Sequence, residues 1–275
     1  MSEFRKVVEV QPITKEYSDD YTGLLKFPLL EHTPCEDDLV GSLLDSNSFG
    51  KFKVLEYVGK KWTDTYNQKH YTIQFIDTGY VVENVRAEYV KKGNIKDRYK
   101  PNLYNVGYLG DYKIKNEVDK KLKNIWSKMI ERCYDENHTQ YKDYGGRGVF
   151  VDCAWHNLST FIEDVKSLPN WNNKLEKWND YSLDKDYYMS NCYSKDTCVW
   201  LTNKDNNMYS KSKPFKSIDE YGCEMIWISQ TDCANYFNIK QSAVSAVLCK
   251  KNNKTRNGMK FVFIDGFKNY RYELD

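Results

Sequence analysis

Three glycines close around an arginine at Gly145, Gly146, Arg147 and Gly148, directly after a stretch whose apolar residues repeat at helical spacing. Glycine alone enters φ > 0 without penalty and lets two backbones come close, so the chain has to turn here. Upstream, Val118, Leu122, Ile125, Met129 and Cys133 share one helical face, widened by Trp126 and Ile130. Downstream, Val149, Val151 and Cys153 alternate as a strand. Leu158, Phe161, Ile162, Val165 and Leu168 then return to helical spacing until Pro169 stops them. Helix, glycine turn, short strand and second helix, closing on Val199 to Leu201, define a compact α+β module.

At 275 residues the chain has room for more than this module. Residues 48–112 read as β structure. Phe49, Lys51, Lys53, Leu55 and Tyr57 alternate with Phe52, Val54, Glu56 and Val58, and Tyr71, Ile73 and Phe75 alternate with Thr72, Gln74 and Ile76. Asp77-Thr78-Gly79 turns into a third strand, which predicts a small antiparallel sheet. Residues 216–275 end the chain differently. Ser229-Gln230-Thr231-Asp232 has the layout of a helix N-terminus, Asn238-Ile239 turns, and residues 240–248 form a second short helix before the strand that follows Asn257-Gly258. Two short helices about a tight turn describe a helix-turn-helix. The start of its second helix would offer Lys240, Gln241, Ser242 and Ser245 to base edges. The expected division is therefore an acidic leader (1–47), a β-rich module (48–112), the central module (113–215) and the helix-turn-helix (216–275).

Net charge is only +2, but it is unevenly spread. Residues 1–47 hold ten acids against Arg5, Lys6, Lys15 and Lys26, a balance of −6, which leaves +8 for the remainder. A basic body fits a polyanion partner, and Lys51 and Lys53 tip the β-rich module toward phosphate contact. No run of about 18 apolar residues is present and the first residues lack a signal-peptide core, so a soluble protein with no membrane partner is expected.

The phrases Tyr144-Gly145-Gly146-Arg147-Gly148, Leu183-Asp184-Lys185-Asp186, Asn191-Cys192 and Trp200-Leu201-Thr202 follow the helix of residues 125–134. This series resembles phage-encoded proteins related to the HNH homing endonucleases. The resemblance covers residues 117–207 well and the flanks loosely; the last module resembles the DNA-binding helix-turn-helix repeat attached to intron-encoded nucleases. It implies double-stranded DNA as partner, the cytoplasm of a phage-infected bacterium as location, and hydrolysis of phosphodiester bonds. It also implies a divalent ion, Mg²⁺ or Mn²⁺, held by Asp184, Asp186 and Asn207. Lys185 stands where the family has its histidine base, and an ordinary lysine, with a pKa near about 10.4, is already protonated at neutral pH. Two rescues are open. His138 or His156 supplies the base, or Arg147 and Lys185 clamp the phosphate. The alternatives are a non-catalytic DNA-binding protein on the same modules, or a phage counter-defence protein that uses the acidic leader as a DNA-like surface.

Eight cysteines without a secretory signal argue against disulfides. Cys133, Cys153, Cys192 and Cys198 fall within the resembling stretch, which leaves two readings: a structural Zn²⁺ site, or buried free thiols. Only Cys192 and Cys198 are close in sequence, without the paired spacing of a zinc ribbon.

Overall fold

The structure, a computed structural model, describes residues 5–13, 15–18, 27–32, 37–62, 67–211, 213–264 and 270–274. It is a mixed α and β fold with several antiparallel sheets, and the chain divides into two compact units. One comprises residues 18–147 and 153–162; the other comprises 1–17, 148–152 and 163–275. These units cut across the four-part division read from the sequence. The leader is shared between them, and so is the central module.

The chain begins with β1 (Val7–Glu9) and then enters the first unit. There β2 (Leu43–Ser46), β3 (Gly50–Trp62), β4 (Asn67–Phe75) and β5 (Val81–Arg86) form an antiparallel sheet in sequence order. The three expected strands are present. The fourth, β2, comes from the stretch assigned to the leader, because Leu44 pairs opposite Phe52 and joins the same core. Phe52, Val54, Tyr71, Ile73, Phe75 and Val85 point to one face, as strand alternation requires. Val90 of helix α1 (Ala87–Lys92) covers them. Helix α2 (Glu117–Tyr134) starts where Asn116 accepts the Asp119 N–H through its side chain, at 2.9 Å. It buries Leu122, Trp126, Met129, Ile130 and Cys133 of the stripe read from the sequence, while Val118 and Ile125 are half-buried.

After α2 the glycines turn the chain for two different reasons. A Cβ on Gly145 would collide with the carbonyl of Cys133 and the ring of Tyr141, so here only glycine allows the turn to pack onto the end of α2. Gly148 meets open space but sits at φ 77°. Next come β6 (Phe150–Val151), α3 (Cys153–His156) and α4 (Leu158–Val165), in which the boundary between the units falls. The expected strand through Cys153 is shorter than its alternation suggested, because Cys153 already begins α3.

The second unit continues through α5 (Trp171–Glu176), β7 (Tyr181–Asp184), β8 (Cys192–Tyr193), β9 (Val199–Thr202) and α6 (Asn203–Lys211). β7 and β9 pair antiparallel, with Asp184 opposite Val199, and β8 runs parallel to β6. A three-stranded antiparallel sheet follows, in the order β11 (Glu224–Trp227), β10 (Phe215–Ile218), β12 (Lys260–Phe263). Between β11 and β12 lie the two predicted helices, α7 (Gln230–Tyr236) and α8 (Gln241–Leu248). The last strand, β13 (Tyr270–Tyr272), pairs with β1. Val10 thereby joins Tyr187, Val199 and Leu201 in a core. Among the described residues no helix is long and apolar enough to cross a membrane.

Candidate functional site

The C-terminal helices sit on a formed core. Ser229 accepts the Asp232 N–H at 3.2 Å, the cap expected from the sequence. Asn238 takes the left-handed conformation at φ 50° in the turn. Cys233 and Ala234 of α7 meet Val244, Val247 and Leu248 of α8 over Phe215, Trp227 and Phe261. This packing fixes which face of α8 is outward. Lys240, Gln241 and Ser242 are exposed at its start and Ser245 is half-buried one turn on. The Gln241 side-chain amide donates to the Gln230 side-chain oxygen, Oε1, at 2.7 Å, which holds it at the surface. Lys250, Lys251, Lys254 and Arg256 follow, all exposed.

The acidic turn of the central module lies in the same unit and has a different character. β7 ends on Asp184, which is 5 % exposed and accepts the Tyr187 N–H at 2.8 Å. Burial first, and then the charge of Asp186, push its carboxyl up to about 6. Lys185 is 4 % exposed and its ammonium lies 2.5 Å from the Asp186 carboxylate. Arg271, from β13, donates to the Asp186 carbonyl at 3.2 Å and to the Tyr270 carbonyl at 2.8 Å, with its guanidinium 4.9 Å from the Tyr209 ring centre. Burial pulls the Arg271 pKa down while Tyr209 and Asp184 oppose that. The alternation Tyr270-Arg271-Tyr272 was the available sequence signal for this strand.

Asn207, on α6, is exposed and donates its side-chain amide to the Asn203 carbonyl at 2.8 Å. α6 packs against β7 and the turn after it, so the three expected ligands come from neighbouring elements. A hard divalent ion needs converging oxygen acceptors. Here one Asp186 oxygen is held by Lys185, Asp184 is buried and bonded to the Tyr187 N–H, and Asn207 uses its amide nitrogen on its own helix and keeps its oxygen as an acceptor.

Arg147 and His156 belong to the other unit. Arg147 ends the glycine turn and is exposed. His156 is fully buried, with Nε2 3.2 Å from the Tyr134 hydroxyl and its ring edge-on to that tyrosine. A ring so enclosed serves packing, since a proton acceptor in hydrolysis must reach water or substrate. His138 is partly exposed and its Nδ1 accepts the Gln140 N–H.

Among the described residues no three histidine, cysteine, aspartate or glutamate side chains come close enough to hold a metal. Cys192 and Cys198 are buried in one unit, and burial raises the Cys198 pKa. Cys133 is buried and Cys153 exposed in the other. These placements fit thiols rather than a four-cysteine zinc site. On the β-rich sheet, Lys51 pairs with Asp45 at 3.1 Å and Lys53 is half-buried. The leader's Asp37 accepts from both Tyr71 and Lys69, whereas Glu3, Asp19, Asp20 and Glu36 lie outside the described residues. The chain matches no family model, no curated protein and no solved structure.

Proposed function

We propose that this chain is a double-stranded-DNA-binding protein on the scaffold of the phage HNH-like homing endonucleases, reading DNA with the start of α8. The observation that carries the reading is the exposed row Lys240, Gln241 and Ser242 on a helix pair held by a closed core. In a helix-turn-helix those first residues of the second helix enter the major groove. Gln241 pairs with adenine edges, while Lys250, Lys251, Lys254 and Arg256 supply phosphate contacts. Selection from a random duplex library should enrich one motif. Gln241→Ala should then lower preference for that motif by about fivefold or more, with random-duplex affinity little changed. Lys250→Gln with Lys251→Gln should instead weaken all duplexes and flatten the salt dependence by about 0.9 per lost contact. Unchanged preference and unchanged salt slope in both variants would remove the proposal.

A second reading, phosphodiester hydrolysis by the same scaffold, has one observation in its favour. The Asp186 carboxylate, paired with Lys185 through one oxygen, stays 67 % exposed and can reach a phosphodiester, which the buried Asp184 cannot. Under it, the wild type nicks supercoiled plasmid with Mg²⁺ or Mn²⁺ and Asp186→Asn does not. Under the first reading neither nicks.

A further inference from the structure

The first unit contains a groove that neither reading uses. It lies between the outer edge of β5 and the segment of residues 94–98, with a cavity volume of about 450 Å³, within the range of sites for small ligands. Among the described residues β5 is an edge strand, paired only with β4. Two residues of β5, Glu83 and Asn84, lie between Val82 and Val85 where one of β4, Thr72, lies between Tyr71 and Ile73, so β5 carries one extra residue. Such a bulge re-aims side chains and breaks the ladder at an open edge. Asn84, at φ 56°, sits in it, and Glu83 and Asn84 line the groove.

The lining is cationic and aromatic. Arg86, Lys96 and Arg98 face one carboxylate, Glu83, and Tyr80 and Tyr89 stand among them. Arg98 is fixed by donating to the carbonyls of Gly110 and Tyr112, both at 2.6 Å. Arg86 and Lys96 are exposed and form no ion pair among the described residues. Tyr89 is 40 % exposed, a large ring left open to solvent. Asp97, in the same segment, is buried with its carboxylate on Thr78 and the Tyr99 N–H, and burial lifts its pKa. It is not among the residues that line the groove.

We propose that this groove binds a single-stranded nucleic acid, its phosphates on Arg86 and Lys96 and a base against Tyr89. Positive charge that tracks a backbone beside an open aromatic ring is the pairing that takes such strands without sequence preference. An added peptide strand is the competing occupant of an edge. The bulge at Glu83 and Asn84 opposes it by interrupting the row of backbone donors and acceptors. The proposal is independent of duplex reading by α8, since it concerns other residues and another probe.

The test is fluorescence anisotropy of a labelled 15-nucleotide oligothymidylate with the full chain across a salt series. Arg86→Gln with Lys96→Gln should reduce the salt slope by about 1.4, the value for two single-strand phosphate contacts. Tyr89→Leu should weaken binding about fivefold or more at every salt concentration. Lys113→Gln with Lys128→Gln removes the same charge from exposed positions elsewhere in the unit and should leave binding as in the wild type. Equal losses in the control, or no loss in the groove variants, overturn the proposal. So does displacement of the oligonucleotide by poly-glutamate at matched charge concentration, which would mark a site for an acidic polypeptide. Oligothymidylate offers no duplex for α8 to read, so failure of duplex recognition and failure of the groove are separately visible.

Discussion

Trp200→Ala should destabilise its unit by about 3–5 kcal/mol, the largest loss expected of any single substitution considered for this chain. Trp200 has no exposed surface, and its indole N–H donates to the Val165 carbonyl at 2.8 Å. Its ring lies 5.8 Å from that of Trp171, and the buried Lys174 ammonium stands 5.1 Å from its centre. Truncation opens a cavity and leaves the Val165 carbonyl without its donor, and the two costs act in the same direction. Trp200→Phe keeps most of the packing and loses only the hydrogen bond and part of the ring, so its cost should be smaller. Urea unfolding followed by circular dichroism gives the comparison. Equal midpoints for wild type and Trp200→Ala would show that this tryptophan does not organise the core around it.

Asp184→Asn should stabilise the protein at pH 7, by up to about 3 kcal/mol. The carboxyl titrates at about 6 in the fold against an ordinary 3.8. Between those two values the folded chain keeps a proton that the unfolded chain has released. Stability therefore falls as pH rises through this window, and the whole penalty is present above about 6. Asparagine carries no charge to bury and keeps an oxygen for the Tyr187 N–H. The variant should be more stable than wild type at pH 7, and the difference should shrink toward zero as pH falls below about 3.8. Thermal unfolding at several pH values reads this directly. A variant less stable than wild type at pH 7 would mean that the attraction of Lys185 and Arg271 for the carboxylate outweighs its burial.

Much of the local structure was legible because it depends on neighbours in the sequence. The stripe on α2 follows from helical spacing, the strands β3 to β5 from alternation, and the start of α7 from Ser229 three residues before Asp232. The glycine cluster was legible as a turn, but not its two causes. That Gly145 must clear Cys133 and Tyr141 depends on where α2 ends in space, whereas Gly148 answers only to its own φ.

The acidic turn shows where sequence reading stops. Asp184, Lys185 and Asp186 are adjacent in the chain, and a resemblance suggested donors gathered for a metal. Their actual states follow from burial and from Arg271, which lies more than eighty residues away and reaches the turn only because β13 pairs with β1. His156 likewise carried an available chemistry by residue type and lost its access to water by being packed against Tyr134. The sequence by itself determined α2, α4, α7 and α8 and the strands β3 to β6, β9 and β12, because periodicity and capping are local properties. Tertiary structure alone decided which charges are buried, which are paired and which edge is left open at β5, because those depend on residues that only folding brings together.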